Sequence, residues 1–228
     1  QLDISNSGTP ALAMDIVSVE TDLAGLIVNT EINSARINMA VAWADVTHSM
    51  DNFSLRTAPS MTMAYRSNLA TADNLSWSLD VQLPLAFAEL KIGTDGNLSS
   101  HDSIISNPNN AMFELLNFND SQRDILGLFA ELNSNIGDWQ YQAGIRHNRI
   151  AMDSGEVASS GMMAMMGDAA SMLAMQFNQA DRKLDYNTTD LVLKFNRTLD
   201  PETAITIDLG IKNRAPSYQE TCLWLPLL

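Results

Sequence analysis

The run Leu75-Ser76-Trp77-Ser78-Leu79-Asp80-Val81-Gln82-Leu83 alternates without a break, every odd residue apolar and every even one polar. Successive side chains of an extended chain point to opposite faces, so this pattern specifies a strand with one face for an apolar medium and one for water. The same parity recurs along the chain. Ile37, Met39, Val41 and Trp43 alternate with Arg36, Asn38 and small alanines, and Trp139, Tyr141, Ala143 and Ile145 with Gln140, Gln142, Gly144 and Arg146. Leu191, Leu193 and Phe195 oppose Asp190, Lys194 and Asn196; Ile205, Ile207, Leu209 and Ile211 oppose Thr206, Asp208, Gly210 and Lys212. Each run approaches the ~9–11 residues with which a tilted strand crosses a bilayer, whereas soluble sheets usually manage with ~5–6.

Parity alone does not separate a membrane barrel from a soluble sheet, because both bury one face in something apolar. The connections do. Ile32-Asn33-Ser34, Pro84, Asn133 to Gly137 and Leu199 to Glu202 are tight turns, and they alternate with long segments at Asp51 to Asn74, Asp95 to Arg123 and Met152 to Thr188. Short connections on one side and long ones on the other are the topology of an outer-membrane barrel. The reading is an all-β, antiparallel up-and-down transmembrane β-barrel segment. It has about eight strands, near residues 18–30, 35–48, 74–83, 86–95, 123–133, 138–151, 188–198 and 203–213, paired as hairpins in sequence order.

The 228 residues carry 27 acidic and 13 basic side chains, a net charge of -14. That balance leaves no basic patch to neutralise phosphates and excludes nucleic acid as a partner. It suits cations, or simply keeps the loops in water. No stretch reaches the ~18–20 apolar residues of a membrane helix. Gln1-Leu2-Asp3 lacks the basic start and apolar core of a secretory leader, so the sequence predicts a processed precursor or a chain that begins inside a longer protein. Cys222 is the single cysteine, which rules out an internal disulfide. Sequons such as Asn52-Phe53-Ser54 and Asn187-Thr188-Thr189 are read as ordinary polar loop residues. The tail Cys222-Leu223-Trp224-Leu225-Pro226-Leu227-Leu228 ends in an apolar stretch with nothing predicted to pair it, and an open sheet would leave two unsatisfied edges. Both points predict a fragment.

The stretch Arg214-Ala215-Pro216-Ser217-Tyr218-Gln219-Glu220, continuing to Leu223-Trp224-Leu225-Pro226, resembles a segment of TonB-dependent outer-membrane receptors. His48-Ser49-Met50-Asp51-Asn52-Phe53-Ser54-Leu55-Arg56 resembles the barrel stretch of the TonB-dependent copper receptors. Thr221-Cys222 departs from the first pattern, which has a basic and an aromatic residue there. The resemblance implies that residues 1–228 are a partial receptor barrel domain, without the plug domain that engages TonB and without the remaining strands of a wall of about 22.

If odd positions of the second strand face lipid, His48 and Met50 both face the lumen. Their bases lie ~6.5–7 Å apart on one face, and the flexible thioether can swing its sulfur toward a shared ion. Imidazole plus thioether is a soft donor pair suited to copper, Cu(I) in particular. The alternative is a His and a Met that merely line the lumen. The resemblance implies that a Cys and a Met of the plug complete the site; Cys222, in a different predicted loop, does not stand in. His101 and His147 are read as polar loop or lumen residues.

Met162, Met163, Met165 and Met166, with Met172 and Met175, crowd one long loop and are secondary candidates for picking up copper. The helical spacing of Met172 with Met175 and of Leu173 with Phe177 favours a short packed loop helix instead, and Met61 and Met63 carry the same two readings. Asp80, Asp190 and Asp208 have inward parity, as expected of a water-facing wall. No phosphate-cradling glycine loop, nucleophile elbow or helical histidine pair is present, so the chain reads as no enzyme and as needing no catalytic cofactor. The expected function is copper or copper-complex import across the outer membrane of a Gram-negative bacterium. Lipid and, through the plug, the TonB complex are the expected partners. An iron-siderophore or other nutrient receptor and a soluble β-rich surface binding module are the alternatives.

Overall fold

The computed structural model describes residues 14–160 and 169–225. Eight strands form one sheet in the order β1 to β8, each antiparallel to its sequence neighbours. They are β1 (Asp15–Ile32), β2 (Ala35–Asp51), β3 (Ser67–Pro84), β4 (Glu89–Ser106), β5 (Glu114–Ile136), β6 (Trp139–Asp153), β7 (Leu184–Asp200) and β8 (Thr203–Ile211). The sheet is an open segment of an up-and-down barrel wall, with β1 and β8 at its edges. Among the described residues two short α-helices lie beyond the strand ends, α1 (Ala169–Gln179) and α2 (Tyr218–Cys222).

The register carries the sequence parity across every hairpin. Trp43 pairs with Leu75, Val41 with Trp77 and Met39 with Leu79. Leu75 continues to Leu98, and Leu132 pairs with Leu90 and Ala143. Ile145 pairs with Leu191, and Leu193 with Leu209. One face is therefore a continuous apolar belt. Trp43, Leu79, Leu128, Ile145, Leu193 and Leu209 are all exposed on it, so the wall tryptophans are not in a compact interior. Near the short-turn end Trp139, Tyr141 and Phe195 form a chain of rings with centroids 6.4 and 5.7 Å apart. The Arg197 guanidinium lies 5.5 Å from the Trp139 centroid. Aromatic rings at the margin of an apolar belt, Trp139 and Tyr141 with a polar handle among them, are the girdle of a barrel.

The short turns stand within a few residues of their expected places: Pro84 is the last residue of β3, with the turn following it, and Asn133 to Ile136 still pair in β5, which turns at Gly137-Asp138. The β1–β2 turn has Asn33 at φ 48° and Ser34 at φ 72°, the two left-handed residues of a type I′ hairpin. The long connections differ. The wall extends well past the belt: β5 alone has 23 residues, and the expected loop from Asp95 to Arg123 is mostly hairpin, turning only between Ser106 and Glu114. Above the belt the outer face leaves the apolar medium while the inner face is covered by polar side chains and the returning tail, so the alternation disappears from Ser99-Ser100-His101-Asp102-Ser103 although the backbone ladder continues. Side chains reinforce it there. Asn97 donates to Asn74 at 3.0 Å, Ser99 to the Arg123 carbonyl at 2.8 Å and Ser103 to Asn68 at 2.8 Å.

The tail is also a correction. Rather than ending unpaired, residues 215–225 fold back onto the long-loop end of the sheet. Ser217 and Glu220 form a capping box at the start of α2, and Arg214 grips Glu220 at 2.6 and 2.8 Å. Trp224 is buried, and its indole donates to the Leu116 carbonyl at 3.0 Å. Trp224 and Leu225 join Ile105, Phe113, Leu115, Val157, Ala170 and Ala174 in the largest buried cluster, with Leu173 and Phe177 of α1 packed against it. Apolar surface with no lipid to face found protein instead.

Candidate functional site

His48 and Met50 sit at the long-loop end of β2, on the face opposite the belt. Their partners on β3 are Ala70 and Asn68. Met50 is buried, and the Nε2 atom of His48 is shielded from solvent with no hydrogen-bond partner. A buried imidazole nitrogen without a partner is costly, and it is a donor atom available to an ion.

The residues after Met50 hold this end of the strand. Asp51 is buried and its carboxylate accepts from the Phe53 amide at 2.9 Å, the Ser54 amide at 2.7 Å and the Ser54 hydroxyl. Asn52 closes the loop by donating to the Ala64 carbonyl and accepting from the Arg66 amide, both at 2.9 Å, while Phe53 and Tyr65 pack at 5.2 Å. Arg56 returns to β1 through an ion pair with Asp15, 2.6 Å from Nε to the carboxylate, which also raises the Arg56 pKa. The whole His48–Arg56 stretch is thus one unit: a donor pair, followed by a loop that locks its position.

On the same face, one strand beyond β3, stands His101. Its ring lies against the Thr71 backbone of β3, the strand that separates it from His48. Phe118 and Tyr218 flank it, each 5.1 Å away by centroid. Of the two readings for His101, loop or lumen, the structure has the lumen face, on a strand that runs past the expected end at residue 95 to Ser106. The odd parity of Asp95, Asn97, Ser99 and His101 was the available signal. His147 is instead on the belt side of β6, beside Thr189 at 2.9 Å, and does not face the lumen.

The other candidates scatter. Met172 and Met175 are exposed on α1, whose Leu173 and Phe177 make the packing contacts, so the helix forms but not through its methionines. Met61 and Met63 are exposed beside the turn at Thr62–Ala64. Met162, Met163, Met165 and Met166 lie outside the described residues. Cys222 is free and buried in α2. Asp80 accepts from Asn38 at 2.9 Å, Asp190 from the Asn213 amide at 2.8 Å, and Asp208 faces Lys194 at 3.9 Å; all three occupy the polar face. Among the described residues no group of three His, Cys, Asp or Glu side chains forms a metal cluster.

No family model matches the sequence, and no curated protein does. Among solved structures the chain is similar to one titled copper transporter OprC, with a TM-score of 0.72 and 17% sequence identity. The alignment covers 91% of this chain and 32% of that one, so the chain spans about a third of its length. At that identity the likeness establishes the fold alone: the eight-stranded antiparallel sheet has the architecture of part of a β-barrel.

Proposed function

We propose that this chain is part of the barrel wall of a TonB-dependent outer-membrane transporter and that it contributes His48 and Met50 to the binding of copper as cargo. The observation that carries the reading is the buried, unpartnered Nε2 of His48 two residues from the buried thioether of Met50, on the non-belt face of one strand. A nitrogen and a soft sulfur presented together suit Cu(I) better than a hard cation. The belt of exposed apolar side chains and its aromatic margin support a membrane setting, and the likeness to a copper transporter supports the cargo. Import would need energy from TonB through a plug domain. The exposed methionines Met61, Met63, Met172 and Met175 would be outer pick-up points; Met162, Met163, Met165 and Met166 are further thioether candidates by sequence alone.

The test is Cu(I) binding by the intact protein in detergent, by competition with a chromophoric chelator, for wild type, His48→Ala and Met50→Ala. Loss of binding in both variants supports the reading. Binding that survives both substitutions defeats it, and wild-type binding of a ferric siderophore with none of copper would favour a different nutrient.

A further inference from the structure

His101 shares the face of His48 and is separated from it by β3, where the intervening inward residues are Ala70 and Ala72. His48 pairs with Ala70, and His101 with Ala72. Two strand spacings put the histidine backbones about 10 Å apart across the sheet, with a two-residue offset of about 7 Å along it. Alanine leaves that interval empty of side chain, so both rings can extend over β3 toward a common point. The His101 ring lies against the Thr71 backbone of β3, so it leans over the strand that His48 borders from the other side. Phe118 and Tyr218 hold its ring from the other side, and the β4–β5 register breaks between His101 and Ile104, where a bulge re-aims side chains. The orphaned Nε2 of His48 is the second observation that points to an ion here.

We infer that His101 is a further metal-binding residue of the His48–Met50 site, so that the barrel wall alone offers two imidazoles and one thioether to a soft monovalent ion bound over Ala70 and Ala72. The inference rests on the function proposed above. Two nitrogens and one sulfur form a three-coordinate set for Cu(I), and they leave room for donors from elsewhere in the protein. Tyr218 brings the tail into the same arrangement, because its ring packs on His101 and on Phe118 at 5.5 Å.

The experiment loads the intact protein with Cu(I) and counts nitrogen scatterers by X-ray absorption, alongside chelator-competition affinities for wild type, His48→Ala, His101→Ala and Ala72→Val. Two nitrogens in wild type and one in each histidine variant are expected. The affinity of His101→Ala should fall on the order of tenfold or more. Ala72→Val, which keeps both imidazoles but fills the space between them, should also bind more weakly. One nitrogen in wild type, with His101→Ala unchanged and His48→Ala inactive, overturns the inference and leaves the proposed function standing. No copper bound by wild type overturns both. Should His101→Ala fail to show the heat-modifiable migration of a folded barrel, the wild-type nitrogen count and Ala72→Val decide.

Discussion

Arg146 reaches across Gly127 and donates to both carboxylate oxygens of Asp95, at 2.7 and 2.5 Å, joining β6 to β4 over the strand between them. A Cβ at residue 127 would meet the guanidinium carbon at 2.9 Å, so glycine is what permits the crossing.

Gly127→Ala should therefore break this ion pair while leaving the sheet intact. Both side chains are about a third exposed, at 34% and 29%, so solvent screening keeps the loss near ~1 kcal/mol. Gly93→Ala should cost more, about 2–3 kcal/mol, because its Cβ would approach the Leu79 carbonyl oxygen to 2.8 Å and press on Phe129, and a backbone oxygen cannot swing aside. Denaturant unfolding in detergent, with Gly127→Ala the less stable of the two, would contradict this ordering.

The orientation of the wall makes a prediction by parity. Leu128→Arg, in the middle of the belt, should destabilise the protein by about 2–4 kcal/mol in lipid, and Ser78→Arg, one face over, by less than about 1 kcal/mol. Equal effects of the two substitutions on folding into vesicles would mean that the belt does not face hydrocarbon.

Trp224→Ala should release the tail. The substitution removes a buried indole and its bond to the Leu116 carbonyl, a change of about 3–5 kcal/mol if the segment stays docked, and enough to undock it. Amide exchange should then rise across residues 215–225 with little change in β2 and β3. A tail that keeps its protection would show that Trp224 is not its anchor.

The tail also carries a pH dependence. Arg214, the Ser217 amide and the Ser217 hydroxyl hold the Glu220 carboxyl down from 4.5 to about 2. A group whose folded value is depressed stabilises the fold above its ordinary value, and the contribution disappears as the pH falls through about 2. Tail protection should accordingly persist at pH 5 and decline between about pH 4 and pH 2, and Glu220→Gln should remove that acid-dependent step. An unchanged step in Glu220→Gln would assign it to another group.

Much of the wall was legible from local chemistry. Leu75 to Leu83 and the runs at Ile37, Trp139, Leu191 and Ile205 declare their strands because one face meets an apolar medium and the other water, a contrast written into alternate residues. Asn33-Ser34 and Gly137 declare their turns because few residues accept positive φ. The upper parts of β3, β4 and β5 were hidden for the converse reason: where the outer face meets water and the inner one packs under polar side chains and a distant tail, a strand shows no apolar–polar alternation, only ladder bonds to a neighbour.

The sequence by itself thus determined the strand parity of the belt, the places of the short turns and the donor types at His48 and Met50, since each depends on a residue and its nearest neighbours along the chain. Tertiary structure alone decided that His101 comes to lie across two alanines from His48, and that Trp224 closes on Leu116 over a separation of 108 residues. Such pairings depend on the register of strands and the path of a returning tail. Those are fixed by the total burial and hydrogen bonding of the sheet, which no single segment encodes.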